Sequence, residues 1–103
     1  MLLPGAEAHG MGHRQCLELL ESTEDTLNSL TSTLSYLIYA ESKKPFPNTR
    51  LIDEWNALKQ ETFDIEYALS GADVATYQRI KQIYRKRNQE LRPIIDLYMK
   101  EQS

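Results

Sequence analysis

Apolar residues recur at alternating intervals of three and four along most of this sequence. The first stripe consists of Cys16, Leu20, Thr23, Leu27, Leu30, Leu34 and Leu37. This spacing places the side chains on one face of an α-helix and is typical of helices that pack side by side. The alternation of two that marks a half-buried strand does not occur in the sequence. The sequence therefore predicts an all-α protein.

Two further segments carry the same spacing. The second stripe consists of Leu51, Trp55, Leu58, Thr62, Ile65 and Leu69, and the third of Tyr77, Ile80, Tyr84, Arg87, Leu91, Ile94 and Tyr98. Proline removes a backbone donor, so Pro45 and Pro47 predict that the first helix ends near Ser42. Short connections join neighbouring helices that run in opposite directions. We therefore predict an antiparallel three-helix bundle.

Capping residues mark the boundaries of the second and third helices. Asn48 or Thr49 is suited to cap the second helix, and Asp73 is suited to cap the third. Gly71 follows the second helix, at a position where a residue free to adopt positive φ commonly ends a helix. Pro93 lies inside the third stripe, so we expect that helix to kink there or to split, with a short fourth helix after it.

The first fourteen residues differ in composition from the rest of the chain. Three glycines and a proline within residues 1–14 disfavour a packed element, so we predict a flexible N-terminal tail. Met11 is a second candidate start, which would leave residues 1–10 outside the natural chain. The remaining length suits one hydrophobic core, since domains typically have about 50 to 250 residues. We predict a single helical domain over residues 15–103.

Few residues could support catalysis. Both histidines, His9 and His13, fall in the predicted tail, so no Ser–His–acid or Cys–His arrangement can form without docking that tail. The sequence has no Glu-x-x-His pair and no glycine-rich phosphate loop. Cys16 is the single cysteine, which excludes an internal disulfide and a multi-cysteine zinc site. We predict that the protein is not an enzyme and has no cofactor and no metal site.

Charge changes sign along the chain. Residues 1–73 contain 12 acidic and 5 basic side chains, whereas residues 74–103 contain 3 acidic and 7 basic side chains. A basic helix can bind a phosphate backbone. The candidate residues for this contact are Arg79, Lys81, Arg85, Lys86 and Arg92. In an up-down-up bundle these cations would instead lie near acidic residues of the first helix, such as Glu18 and Asp25, and neutralise them.

The third helix also carries residues that are typical of protein interfaces. Tyr and Arg are enriched at such surfaces because they bury area and still form hydrogen bonds. Arg87 is costly to bury alone, so it either extends to solvent or meets an acid on this chain or another. We predict a non-catalytic protein–protein interaction module: an adaptor, an assembly subunit, a small chaperone or an inhibitor. The residues predicted to bind the partner are Tyr77, Tyr84, Arg87, Leu91 and Tyr98.

The predicted partner is another protein or a second copy of this chain, held by a coiled-coil contact between stripes. The alternative function is a small nucleic-acid-binding regulator that uses the basic third helix. No apolar run approaches the roughly 20 residues that span a bilayer, and the start lacks the pattern of a secretory signal. We therefore predict no membrane partner and a cytoplasmic location.

Overall fold

The computed structural model describes the backbone of residues 4–69 and 71–102 and the side chains of residues 14–69 and 71–101. Over these residues the chain forms three α-helices and no strand. The helices are α1 (Pro4–Ser42), α2 (Thr49–Ala68) and α3 (Val74–Gln102). They pack together, and α1 contacts both of the others. The prediction of an all-α protein is confirmed.

Two predicted helix boundaries differ from the structure. α1 begins at Pro4, so the backbone is helical through most of the stretch that was predicted as a tail. A glycine inside a helix costs only about 1 kcal/mol, which is too little to end one. α3 continues through Pro93 to Gln102, so of the two expected alternatives, a kink or a split, the split into a fourth helix is wrong. Proline costs the helix one backbone hydrogen bond, and Tyr98, five residues after Pro93, packs into the core.

Side chains near the predicted caps satisfy the free backbone groups at the helix ends. Asn48 accepts a hydrogen bond from the Leu51 N–H at 3.1 Å, and Asp73 accepts one from the Thr76 N–H at 2.8 Å. Gly71 has a φ of 85°, in the left-handed region. The short turn between α2 and α3 therefore uses a residue without a Cβ atom.

A row of leucines on α1 forms the centre of the core. Leu27, Leu30, Leu34 and Leu37 are all 0% exposed. Aromatic side chains of the other two helices complete the core, namely Trp55 of α2 and Tyr77, Tyr84 and Tyr98 of α3. α1 is therefore the helix on which both of the others pack.

Hydrogen bonds between the helices show which parts of each helix lie side by side. Between α1 and α3 the contacting pairs are Thr23–Tyr77, Thr33–Asn88 and Glu41–Tyr98. Between α1 and α2 with its N-cap residue they are Thr31–Thr62 and Glu41–Asn48. From the start of α1 to its end, the contacting residues of α3 increase in residue number, whereas the contacting residues at α2 decrease in residue number. These contacts extend along most of the shared length of the helices.

α2 and α3 do not pack directly on each other. Across their described lengths, no Cα atom of α2 lies within 8 Å of a Cα atom of α3, although α1 approaches both helices this closely. Directly packed helices have axes about 8–10 Å apart, so the backbones of α2 and α3 are separated by more than this. The Cα atoms of the chain span 69 × 25 × 14 Å, which is a flat and elongated shape. Long side chains, and not close backbones, bridge the gap.

Replacing Leu34 by Ala is expected to lower the free energy of unfolding by about 3 kcal/mol, because truncation of a buried leucine costs about 2–5 kcal/mol. Leu17→Ala changes a leucine of the same helix that is 48% exposed. We expect this control to lose less than about 1 kcal/mol. Urea denaturation followed by circular dichroism measures both variants. Equal losses would contradict the assignment of the leucine row as the core.

Replacing Gly71 by Ala is expected to destabilise the protein by about 1 kcal/mol, because a residue with a Cβ atom is strained at this φ. No other atom lies within 4 Å of the position that the Cβ would take, so a steric clash adds nothing. Gly71→Asn should lose less, since Asn tolerates the left-handed region. Thermal unfolding of the two variants gives the comparison, and an unchanged or raised midpoint for Gly71→Ala would contradict it.

Candidate functional site

The three tyrosines that were predicted to bind a partner are buried in the core of this chain. Each hydroxyl reaches a polar group on another element. The acceptors are the Leu69 carbonyl for Tyr77, at 2.9 Å, and the Glu41 carboxylate for Tyr98, while the Tyr84 hydroxyl faces the Glu61 carboxylate. A tyrosine can span a wide gap and keep its polar tip satisfied. Of the predicted partner-binding residues, Arg87 and Leu91 are those that remain accessible.

Burial raises the pKa of these tyrosine hydroxyls. For Tyr84, burial and then the hydrogen bond and charge of Glu61 raise the pKa to about 12. For Tyr98, burial and then the neighbouring Glu41 raise the pKa above its ordinary value. The hydroxyls are therefore protonated hydrogen-bond donors at neutral pH. They join α3 to the other elements of the bundle.

A buried carboxylate joins the three helices at one end of the bundle. Glu41 accepts hydrogen bonds from the Tyr98 hydroxyl and from the Asn48 N–H, the latter at 2.8 Å. The Lys44 Nζ lies 3.1 Å from the same carboxylate and 4.6 Å from the centroid of the Tyr98 ring. These contacts, the Tyr98 hydrogen bond first, hold the pKa of Glu41 below its usual range. The Glu41 carboxylate thus bonds to the end of the α1–α2 loop and to α3, and these contacts stabilise the loop.

Lys81 and Arg85 line a shallow groove of about 350 Å³ between α1 and α3. The other lining residues are Ser22, Asp25, Thr26, Ser29 and Asn88. Arg79, Lys86 and Arg92 are exposed elsewhere along α3. Over the described residues, none of these five cations forms an ion pair within 4 Å. The structure therefore brings together two of the five residues that were predicted to bind phosphate.

Acidic residues of α1 lie along the same side of α3. Asp25 lines the groove with Lys81 and Arg85, and Glu18 lines an adjoining depression with Lys81. Acidic side chains of α1 and basic side chains of α3 therefore lie on the same surface, but the described side chains form no ion pair there within 4 Å. Exposed charges that are not in contact interact weakly at physiological salt.

The accessible predicted residues lie along the opening between α2 and α3. Glu61 contacts Tyr84, so residues three or four positions from Glu61 on α2 also face α3. On α3 the facing residues lie three, four or seven positions from Tyr84 or Tyr98, and Ile83, four positions before Arg87, lies at their edge. We name this surface the α2–α3 groove, and its residues are Leu58, Glu61, Ile65, Ile80, Ile83, Arg87, Leu91 and Ile94.

The α2–α3 groove is apolar and only partly covered. Most of its aliphatic side chains are half-buried, and Ile83 at its edge is 45% exposed. Arg87 is exposed near the middle, where its charge acts on the Tyr84 hydroxyl. Neither Arg87 nor Glu61 forms an ion pair within 4 Å among the described residues. A partly covered apolar strip of this kind is suited to bind another helix.

Other surfaces are less suited to a docked helix. The side of α1 away from its leucine row exposes Glu21, Asn28 and Ser32, which are polar. Phe63 and Tyr67 are exposed on α2, but they lie on the flank away from Glu61 and form a smaller apolar surface.

Sequence reasoning missed both the buried Glu41 and the α2 side of the groove. Glu41 continues the spacing of Leu34 and Leu37, and this is the signal that could have found it. The groove has no comparable signal, because the spacing of apolar residues shows which face of a helix is buried and not how far apart two helices lie.

The sequence matches no protein-family model, and neither a curated protein nor a solved structure is detectably similar to this chain. Over the described residues, no helix is long and apolar enough to cross a membrane. No group of three or more His, Cys, Asp and Glu side chains in that part of the chain is placed to hold a metal ion. The side chains of His9 and His13 lie outside the described residues.

Replacing Glu41 by Gln is expected to reduce the loss of stability in acid. The folded state lowers the Glu41 pKa from the ordinary value of 4.5, so its contribution is complete above that pH. The contribution is lost as the pH falls through the lower folded pKa. Thermal unfolding at about pH 7 and about pH 3 compares the wild type with Glu41→Gln, and Glu21→Gln at an exposed position is the control. Parallel losses for all three proteins would contradict this account.

Proposed function

We propose that this protein is a non-catalytic protein–protein interaction module whose α2–α3 groove receives a helix of the partner. The observation that supports it is the apolar strip that stays open because α2 and α3 rest on α1 without packing on each other. Helix-in-groove binding uses surfaces of this kind. An adaptor, an assembly subunit, a small chaperone or an inhibitor acts through such a contact.

In this proposal the chain is an antiparallel, up-down-up three-helix bundle that a partner helix completes. The order of the interhelical contacts supports this topology, because α1 and α3 pair in rising order and α1 and α2 in opposite order. A bend at Pro93, where the backbone donor is missing, would help to direct Tyr98 toward Glu41. A docked helix would then convert three helices into a four-helix arrangement.

Arg87 and Leu91 are the proposed contact residues, and the tyrosines set the width of the groove. Arg87 offers a long side chain with a charged tip, which suits a central anchor in an interface. Leu91 lies one turn from Arg87, at a half-buried position. We further propose a cytoplasmic location, since a single cysteine gives no disulfide framework of the kind that small secreted domains use.

Photo-crosslinking tests the proposed function. A benzophenone amino acid at position 83, in the groove, is expected to give adducts with a partner protein in the cells that make this protein. The same amino acid at position 86, on the outer side of α3, is the control and should give few. Adding Arg87→Ala to the position-83 variant is expected to reduce its adducts about tenfold, while helicity by circular dichroism stays the same. Equal adducts at both positions, or none at either, would contradict the proposal.

Nucleic-acid binding through the α1–α3 groove is the second candidate function. It is supported by the convergence of Lys81 and Arg85 on one surface with no carboxylate within 4 Å among the described residues. Asp25 in the same groove weakens the positive potential there. Binding of this kind would depend on phosphate contacts and would be steeply sensitive to salt.

Fluorescence anisotropy of labelled mixed-sequence DNA and RNA over a salt series tests the second candidate. Arg85→Ala is expected to reduce the slope of log K against log salt by about 1, because one phosphate contact is removed. Arg50→Ala, an exposed position on α2, removes the same charge away from the groove and should leave the slope unchanged. An absence of binding at low salt would rule this function out.

A further inference from the structure

We infer that the outward side of α3 enters the major groove of double-stranded DNA and contacts base edges, an inference that rests on the second candidate function. Residues two or five positions from the buried Tyr77 and Tyr84 lie on the side of α3 that faces away from the core. With their exposed neighbours they form a surface that we name the outer face of α3. Its residues are Gln78, Arg79, Gln82, Arg85, Lys86, Gln89 and Arg92.

Every side chain of the outer face of α3 is either a cation or an uncharged amide. The face contains four cations and no acid. The neighbouring acidic residues of α3 are Glu90, at the border with the α2–α3 groove, and Asp96, one turn beyond the end of the face. The outward sides of the other helices differ in charge, since α1 exposes Glu21 and α2 exposes Asp53 and Asp64. A surface of positive charge is therefore concentrated on α3, where it can attract phosphate.

α3 lies at an edge of the structure, so a large ligand can approach its outer face. Among the described helices, α3 packs on α1 and not on α2. An α-helix with its side chains is about 10–12 Å in diameter, and the major groove of B-DNA is about 12 Å wide. From residue 78 to residue 92 the outer face extends for about 21 Å, which is the length of about six base pairs. The helix therefore fits the major groove in both dimensions.

The residue types on the outer face favour a DNA duplex over other nucleic acids. Arginine can donate two hydrogen bonds to guanine, and the glutamine amide can both donate to adenine and accept from it. Proteins that bind single strands stack the bases on aromatic side chains, and the outer face carries none. The major groove of A-form RNA is too deep and narrow for side chains to reach the bases. Amides that contact bases, between cations that contact phosphates, suit B-DNA.

Acidic residues of α1 approach the outer face along one edge only. Glu18 and Asp25 each line a depression with Lys81, which is half-buried at that edge. Further along α3, Asn88 forms hydrogen bonds with two hydroxyl groups of α1, so the adjoining surface is uncharged there. Repulsion of phosphate by α1 is therefore confined to the first half of the outer face. Asp25→Asn should accordingly strengthen binding to every DNA duplex.

Selection from a pool of DNA duplexes with a randomised centre tests whether the protein recognises bases. The full chain is expected to enrich one motif of about four to six base pairs, given the length of the outer face. Fluorescence anisotropy then compares the selected duplex with a scrambled duplex, with a single strand and with an RNA duplex of the same sequence, at one salt concentration. The selected DNA duplex should bind at least about tenfold more tightly than each of the others.

Variants separate base contacts from phosphate contacts. Gln82→Ala and Gln89→Ala should each reduce the preference for the selected over the scrambled duplex about tenfold, with the salt slope unchanged. Lys86→Ala should weaken binding to both duplexes alike and reduce the salt slope by about 1. Gln60→Ala removes an exposed amide from α2 and is the control, for which we expect no change. Circular dichroism checks that each variant keeps its helicity.

The outcomes distinguish this inference from the second candidate function. An enriched motif whose recognition depends on Gln82 and Gln89 supports both. Salt-dependent binding without an enriched motif, or with a preference for single strands or for the RNA duplex, overturns the inference and leaves phosphate binding standing. A preference that neither glutamine variant reduces also overturns it, because other residues then contact the bases. An absence of binding at low salt overturns both.

Discussion

Burial of one row of leucines on α1 is the interaction on which the rest of this structure depends. Four leucines of that row are removed completely from solvent, and both other helices contribute side chains that cover them. Each buried leucine contributes roughly 1.5–3 kcal/mol, which is large beside the few kcal/mol of net stability that a small domain retains. Because the row lies on α1, the other two helices pack on α1 and not on each other.

The aromatic residues follow from that geometry. A gap wider than direct helix packing needs long side chains to fill it, and Trp55 meets Tyr98 edge to face with their rings 6.3 Å apart. The hydroxyls of Tyr77 and Tyr98 donate hydrogen bonds to acceptors in other elements, so these buried polar groups are satisfied. The same gap leaves aliphatic side chains half-covered along its outer side. A packing requirement of the core thus creates the surface that we propose for binding.

Much of the fold could be predicted from the sequence, because the spacing of apolar residues identifies the buried face of each helix. Asp73 and Asn48 mark helix starts for an equally local reason, their hydrogen bonds to the first turn. The role of Tyr77, Tyr84 and Tyr98 could not be predicted in the same way, since a tyrosine on a stripe suits a core or an interface alike. The continuity of α3 through Pro93 could not be predicted either, because proline locally favours a helix break and tertiary packing overrides that preference.

Hydroxyl-radical footprinting is the most direct test of the claim that another chain covers the α2–α3 groove. The protein is oxidised inside the cells that make it and again after purification, and the oxidation rate of each side chain is read by mass spectrometry. This account predicts that Leu91 is protected in the cell and becomes reactive in the purified protein, whereas Phe63 and Tyr67 on the other flank of α2 react equally in both. Equal reactivity of Leu91 in the two samples would contradict it.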